Sequence, residues 1–419
     1  MKMNKLTTWF TTGLLALSLA LVAPVNAQQP PLKIGFGMSL TGPLAGNGKA
    51  ALIAMQIWAE DLNAKGGLLG RKVDLVYYDD QTNPSTVPSI YNKLLDVDKV
   101  DLLVSGYGTN VIAPAMPIVM QRNMAFMGLF GLNVNSKFDY DRYFQIMPAG
   151  PEPAIGWTQG FFDIAMSLSP KPQTIALVGA DAEYPALALE GARAQVKRTG
   201  LKVVYDKTYP PNTVDFSPIV RAIAATNADL VFVASYPPDS AGIVRAANEV
   251  GLKARMFGGG LVGPQFAALK TQLGPLLNGI VNYETYVPDV AGKFPFLEQF
   301  LTKYQGRAIK EGVDPLGFYL PPYAYAMMQV LEQAIKATGG LDQAKLADYM
   351  HAYEFDTFVG KVRFAKNGEW AQPRMLTVQY HSISGNDLEQ WMRPGHVTVL
   401  YPASYATGTV KAPYQDNKK

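Results

Sequence analysis

The chain has 419 residues, of which 48% are hydrophobic and 17% charged, the balance of an ordinary globular protein. Its formal net charge of +3 includes Lys2 and Lys5, and no run is rich in Lys or Arg, which argues against nucleic acid as a partner. The absence of Cys excludes disulfides, thiolate metal sites, Cys nucleophiles and anchoring through a lipid-modified Cys.

The first segment has the pattern of a secretory signal peptide. Lys2 and Lys5 precede an apolar run over residues 13–22, and small residues suited to a cleavage site follow at 23–27. The run is shorter than the ~20 residues needed to cross a bilayer, so a retained membrane anchor is the weaker alternative. We predict cleavage after Ala27 and, because a free exported protein is best retained between two membranes, a location in the periplasm.

The mature chain of roughly 390 residues is too long for one ordinary core and predicts two domains. Apolar strands alternate with segments of helical spacing, which is typical of βαβ units and of a parallel sheet covered by helices on both faces. The strands predicted in the first part of the chain are 32–38, 73–78, 101–105 and 124–129.

The same alternation restarts after residues 148–151 (PAGP), which indicates a crossing into a second lobe. The strands predicted there are 174–178, 202–207 and 230–235, and β-rich pieces recur at 361–364 and 376–380. The predicted division is a signal peptide over 1–27, a first lobe over 28–150 plus 286–355, a second lobe over 151–285 plus 356–390, and a C-terminal extension over 391–419. The predicted fold class is thus α/β, with two βαβ lobes built on parallel central sheets.

Catalytic and metal-binding motifs are missing from the sequence. The three His residues have no metal-ligand spacing, and no G-x-S-x-G elbow or complete dinucleotide fingerprint is present. Asp79 and Asp80 are adjacent on a predicted strand, so their side chains point to opposite faces and are unsuited to paired acid/base work. We predict no enzyme activity, no cofactor and no metal.

A better candidate site follows the strand that ends near Ser105. Ligands of open α/β sheets bind beyond the carboxyl ends of the strands. Thr109 begins a helix there and can hold a carboxylate through its hydroxyl and free backbone N–H groups. On pattern alone, a simple role for Thr109 as helix N-cap is equally well supported.

Aromatic residues recur at the turns that follow predicted strands. Their shared placement favours walls around a ligand face, although each alone is more typical of a core. These residues are Tyr107, Phe130, Tyr184, Tyr236, Phe318 and Tyr319.

Three stretches of sequence carry a more specific signature: residues 39–43 (SLTGP), 63–72 (NAKGGLLGRK) and 78–84 (YDDQTNP). Together they resemble the type I periplasmic binding proteins of the Leu/Ile/Val-binding branch, over nearly the whole mature chain. The resemblance implies two Rossmann-like lobes joined by three hinge crossovers that close on a small-molecule ligand. It also implies delivery to an inner-membrane ABC permease with cytoplasmic ATPases, for which a monomer is the simplest carrier.

The resemblance also implies positions for the binding site. It assigns the hydroxyl that holds a ligand carboxylate to Thr109, beside Tyr107, and a further backbone site to the turn that contains Phe130 and Gly131. Aromatic positions of the second lobe correspond to Tyr184 and Tyr236.

Three positions depart from the family pattern. A family Thr corresponds to Leu132, a first-lobe Tyr to Asn47, and the acid that pairs with an amino acid's ammonium to Gly260. A buried, unpaired ammonium costs several kcal/mol. We therefore predict a small organic carboxylate, with an aromatic or similar acid favoured. An amino-acid or amide receptor and a ligand-presenting sensor are the alternatives, while an exported hydrolase or dehydrogenase lacks the necessary motifs.

Overall fold

The described part of the chain is built on two separate β-sheets. The computed structural model describes Met1 and residues 29–418, so the predicted signal peptide and its cleavage site lie, apart from Met1, outside the described residues. Five strands form the first sheet in the order β2-β1-β3-β4-β5, and every pairing is parallel. They are β1 (Leu32–Met38), β2 (Val73–Asp79), β3 (Leu102–Tyr107), β4 (Phe126–Leu129) and β5 (Tyr143–Gln145).

Seven strands form the second sheet, in the order β14-β13-β10-β9-β8-β6-β7. They are β6 (Thr174–Ala180), β7 (Lys202–Tyr209), β8 (Leu230–Ser235), β9 (Met256–Leu261), β10 (Val281–Glu284), β13 (Leu376–Tyr380) and β14 (Val397–Tyr401). The pairings from β7 to β10 are parallel, and β13 and β14 are added antiparallel at one edge. The remaining strands, β11 (Glu354–Thr357) and β12 (Gly360–Arg363), form a separate hairpin.

Twelve α-helices of the described residues cover the sheets. They are α1 (Ala45–Ala64), α2 (Val87–Asp96), α3 (Thr109–Ile112), α4 (Met116–Gln121), α5 (Pro153–Met166), α6 (Glu183–Thr199), α7 (Ser217–Ala224), α8 (Pro237–Val250), α9 (Ala267–Leu273), α10 (Leu297–Glu311), α11 (Pro321–Thr338) and α12 (Gln343–Ala352). Helices α5, α8 and α11 begin with Pro, whose fixed φ and missing N–H suit the first helical position. None of the helices in this part of the chain is long and apolar enough to span a bilayer.

We call each sheet with its helices a lobe, and the chain passes between the two lobes at three places. The crossings follow β5, β10 and β12. After the second crossing, helices α10 and α11 return to the first lobe and pack on α1. The Trp58 Nε1–H of α1 donates to Glu332 Oε2 of α11 over 2.9 Å, and Tyr325 Oη donates to Asp61 Oδ2 over 3.1 Å. The predicted α/β class with parallel-dominated sheets is confirmed.

Two segments pack differently from the predicted division. The hairpin β11–β12, whose later part was assigned to the second lobe, packs on α11 because Phe355 is buried there and Phe358 stacks on Tyr325 at 4.6 Å between ring centroids. The residues assigned to a C-terminal extension supply β14, since its alternating Val and Leu side chains complete the second sheet. Beyond it, Tyr414 is buried against Phe257.

Candidate functional site

The carboxyl ends of β3 and β4 face those of β8 and β9 across an enclosed cavity between the lobes. Its free volume is about 20 Å³, enough for one water molecule. Both lobes contribute to its wall, which is mostly aromatic and aliphatic. The lining residues are Leu44, Tyr107, Gly108, Thr109, Phe130, Leu132, Met147, Trp157, Tyr184, Tyr236, Val262 and Tyr319.

Thr109 is the first residue of α3, and Gly108 alone separates it from β3. Gly108, at φ +102°, takes a backbone conformation open to glycine, which lets the chain reverse into α3 directly after Tyr107. The Thr109 side chain is 2% exposed, and its Oγ1 accepts a hydrogen bond from the Leu132 N–H over 3.0 Å. A hydroxyl that accepts from the backbone still has its own proton to donate. Thr109 therefore joins two turns of the first lobe and can offer a donor to a ligand.

The neighbouring turn is held in a strained conformation by a buried amide. Phe130 has a φ of +59°, which is costly for a residue with a side chain. Gln145 compensates, because its Oε1 accepts from the Phe130 N–H over 2.9 Å and its Nε2 donates to Gly131 O over 2.8 Å. These two hydrogen bonds hold the Gly131 carbonyl toward Gln145, and Leu132, the next residue, lines the cavity.

Two phenols that line the cavity, Tyr107 and Tyr319, are joined by a third, Tyr283, which does not line it. Tyr107 Oη and Tyr319 Oη are 3.2 Å apart, and Tyr283 Oη donates to Tyr319 Oη over 3.5 Å. Burial raises the pKa of each of these phenols well above its usual range. They are therefore neutral at physiological pH and can donate hydrogen bonds without carrying charge.

The second lobe supplies an aromatic wall. Tyr184 packs between Trp157 and Tyr236, with ring centroids 5.9 Å and 5.8 Å away. Its hydroxyl donates to Gly260 O over 2.9 Å, which fixes the ring against β9. Trp157 also lies 4.2 Å from the Tyr283 ring.

The electrostatic character of the cavity follows from its lining. None of the described residues that line it carries a formal charge. Such a wall supplies no counter-charge to a buried ammonium or to a buried carboxylate, but its hydroxyl groups can donate hydrogen bonds to a carboxylate.

A larger groove of about 390 Å³ lies at the mouth of the cleft and shares Leu44 and Tyr236 with the cavity. Asp239 lines this groove near the start of α8 and accepts from Tyr209 Oη over 3.3 Å. Burial raises the pKa of the Asp239 carboxyl to about 6. The acid nearest the mouth thus lies outside the enclosed cavity.

The structure brings together seven of the eleven predicted site residues, namely Tyr107, Thr109, Phe130, Leu132, Tyr184, Tyr236 and Tyr319. The other four do not line the cavity. The carbonyls of Gly131 and Gly260 bond to Gln145 and Tyr184, and Phe318 packs against Tyr286 at 5.2 Å between ring centroids. Asn47 lies in the first turn of α1, at a second, smaller cavity.

Five lining residues were not predicted: Leu44, Gly108, Met147, Trp157 and Val262. Gly108 and Leu44 adjoin predicted motifs, so their neighbours in sequence could have indicated them. The sequence around Trp157 contains no such indication, because the place of this side chain at the cavity depends on the direction of α5 after the crossing that follows β5.

The motif residues Asp79 and Asp80 organise two loops beside the cleft. Asp79 Oδ1 accepts from the backbone N–H groups of Leu40 and Thr41 over 2.9 and 3.1 Å, and its Oδ2 accepts from Thr41 Oγ1 over 2.6 Å. Asp80 Oδ1 accepts from Ser39 Oγ over 2.6 Å. These hydrogen bonds join the segment 39–43 to the segment 78–84, so the two carboxylates have a structural role. No group of His, Asp or Glu among the described residues is arranged to hold a metal.

A comparison with protein families decides what kind of protein carries this cleft. The family model described as periplasmic binding protein matches residues 31–386. This chain belongs to the periplasmic binding protein family. The predicted branch, the type I proteins related to the Leu/Ile/Val-binding proteins, is confirmed. The family consists of extracytoplasmic solute-binding proteins rather than enzymes.

Individual relatives of this binding protein differ in what they hold. An amino acid binding protein of Pseudomonas aeruginosa is 26% identical over 86% of this chain and 93% of its own length. A substrate-binding protein of Streptococcus pneumoniae in complex with isoleucine has a TM-score of 0.70 and 18% identity, covering 89% of this chain and 100% of that one. A solute-binding protein of R. palustris in complex with benzoate has a TM-score of 0.71 and 18% identity, covering 88% and 95%. At these identities the two solved structures establish the common fold.

Proposed function

We propose that this chain is the periplasmic substrate-binding protein of an ABC importer and that it captures a small organic carboxylate, with an aromatic acid favoured. The observation that carries the proposal is the uncharged, mostly aromatic cavity with the Thr109 hydroxyl in its wall. The hydroxyl and the neutral phenols anchor the carboxylate, while the rings bury the apolar body.

The hydrogen-bonding capacity of the cavity's hydroxyl groups supports a carboxylate anchor. Thr109 Oγ1 already accepts from the Leu132 N–H, and its hydroxyl proton remains to be donated. The hydrogen bond between the Tyr107 and Tyr319 hydroxyl groups, with 3.2 Å between the oxygens, uses the proton of one of them. The proton of the other hydroxyl is left to donate to a ligand. Donors of this kind match a carboxylate, and charge-assisted hydrogen bonds are the stronger ones.

The aromatic wall of the second lobe supports a ligand with an apolar, aromatic body. Trp157, Tyr184 and Tyr236 form a continuous aromatic surface, and such rings favour edge-to-face or offset packing on another ring. The free volume of about 20 Å³ is far smaller than an aromatic acid. Binding therefore requires the lobes to move apart about the three crossings and to close again on the ligand.

Amino-acid binding is the second candidate, because the relative from Pseudomonas aeruginosa carries that name. It would require a counter-charge for the ammonium. The described lining residues offer none, and the position expected to hold that acid is Gly260, whose carbonyl accepts from Tyr184. An aromatic acid therefore fits the uncharged aromatic wall better than an amino acid does.

The proposed role in the cell includes export, retention in the periplasm and delivery of the ligand to a transporter. We propose cleavage of the signal peptide after Ala27, release into the periplasm, and transfer of the ligand by the monomer to a membrane permease driven by cytoplasmic ATPases. Neighbouring permease and ATPase genes would separate this role from that of a sensor.

The test is isothermal titration of the purified exported protein with four matched compounds. Benzoate has both features, cyclohexanecarboxylate lacks the aromatic ring, benzamide lacks the charge, and leucine has an ammonium and an aliphatic side chain in place of the ring. We expect benzoate to bind tightest and benzamide to lose most of the affinity. Saturable binding of leucine without binding of benzoate would overturn the proposal.

A further inference from the structure

A second, smaller cavity lies beside the aromatic one and also spans the two lobes. Its free volume is about 10 Å³, the size of a single oxygen atom with its hydrogens. Asn47 comes from α1 in the first lobe, and Gln265 follows β9 in the second lobe. Tyr319 lines both cavities. We call this smaller cavity the polar annex; its lining is Asn47, Ala50, Gln265, Phe266, Asp314, Tyr319, Leu320 and Pro321.

The polar annex contains hydrogen-bonding groups that the protein itself leaves unused. Asn47 is 2% exposed, and neither Nδ2 nor Oδ1 of its amide has a hydrogen-bond partner within the described chain. Gln265 is 3% exposed; its Nε2 donates to Tyr283 O over 2.7 Å, but its Oε1 has no partner among the described residues. Burying such groups unpaired is costly, and most buried polar groups in proteins are satisfied.

The neighbouring carboxylate does not satisfy them. Asp314 Oδ1 accepts from the Ala267 N–H over 3.1 Å, and Oδ2 accepts from the Gly317 N–H over 3.3 Å. These bonds engage Asp314 with its own surroundings. The annex therefore offers one amide donor from Asn47 and two amide oxygens, from Asn47 and Gln265, around a space for one oxygen atom.

We propose that the polar annex binds one hydroxyl oxygen when the lobes close. An O–H group accepts from Asn47 Nδ2 and donates to Asn47 Oδ1 or Gln265 Oε1, so it uses both kinds of partner. A carboxylate only accepts and would leave both amide oxygens unpaired, while an ammonium only donates and would leave Nδ2 unpaired. The hydroxyl belongs either to the ligand or to a water molecule enclosed with it.

The inference rests on the proposed function for the identity of the ligand, and it refines the ligand class. If the ligand provides the hydroxyl, the protein prefers hydroxylated aromatic acids over the unsubstituted acid. If water provides it, the annex strengthens closure on any ligand and does not discriminate between them.

The test compares wild type and Asn47→Leu by titration with benzoate and with 3- and 4-hydroxybenzoate. Asn47→Leu keeps the side-chain size and removes no hydrogen bond within the protein. If the ligand supplies the hydroxyl, Asn47→Leu should lower the affinity for one hydroxybenzoate about fivefold or more and leave the affinity for benzoate unchanged. An enclosed water predicts similar losses for all three acids. Equal or tighter binding of all three by the variant would overturn the proposal.

If the variant fails to fold, a crystal structure of the wild-type complex tests the proposal instead. We expect an oxygen atom within hydrogen-bonding distance of the Asn47 amide and Gln265 Oε1. An annex that contains no oxygen atom would refute it. If wild type binds leucine instead of the aromatic acids, the proposed ligand class fails, and the annex is then judged in the leucine complex by the same criterion.

Discussion

The substitution Thr109→Val isolates the proposed carboxylate anchor, because it keeps the shape of the side chain and removes only its hydroxyl. Two hydrogen bonds depend on that group. One is accepted from the Leu132 N–H over 3.0 Å, and the other is donated to the ligand in our proposal. The substitution should therefore reduce both stability and affinity.

The magnitudes follow from these two bonds. A hydrogen bond to a charged group contributes about 1.5–3 kcal/mol, so the dissociation constant for benzoate should rise about 10- to 150-fold. The Leu132 N–H loses its buried acceptor, which should lower the free energy of unfolding by about 1–3 kcal/mol.

Titration calorimetry and urea unfolding measure the two effects separately. Thr109→Ser keeps the hydroxyl and should retain most of the affinity. Thr357→Val is the matched control, because that hydroxyl is buried in the β11–β12 hairpin and donates to Gly360 O over 2.6 Å. It should cost stability without changing affinity. A folded Thr109→Val protein whose dissociation constant lies within twofold of wild type would refute the reasoning.

Three further substitutions test other parts of the structure. Tyr236→Ala should weaken benzoate binding severalfold by removing wall area; a loss of stability alone would make Tyr236 a core residue only. Lys270→Met should lower the free energy of unfolding in urea by about 3–5 kcal/mol, because it strands the buried Glu284 carboxylate that Lys270 Nζ contacts at 2.8 Å; a loss below about 1 kcal/mol would contradict this. Asp239 has a pKa raised to about 6 by burial, so its stabilising contribution is present below pH ~4 and lost as the pH rises through 6. The gain in melting temperature from Asp239→Asn should therefore be larger at pH 7.5 than at pH 4.5, and a gain independent of pH would exclude this titration.

The sequence predicted those parts of the fold that local pattern determines. The apolar runs 32–38 and 230–235 coincide with β1 and β8, because strands buried on both faces of a parallel sheet carry continuous apolar side chains. The carboxyl ends of such strands converge, which is why Tyr107, Phe130 and Tyr236 could be placed around one cleft before the structure was known.

The parts that escaped prediction depend on contacts between distant segments. Strand β14 was assigned to an extension, since its place beside β13 is decided by an antiparallel edge that has no local signal. Trp157 reaches the cavity through the angle at which α5 leaves the first crossing. Asn47 was placed at the ligand by its correspondence to a first-lobe Tyr of the family, but in the structure it lines the neighbouring annex.

The central claim is that the cleft captures a carboxylate through Thr109 and encloses its apolar body with aromatic rings. A crystal structure of the protein with the tightest-binding acid of the titration panel tests this most directly. We predict a carboxylate oxygen about 2.7 Å from Thr109 Oγ1 and the ligand body packed against Trp157, Tyr184 and Tyr236. A ligand bound outside this cavity, or one whose carboxylate points away from Thr109, would contradict the account.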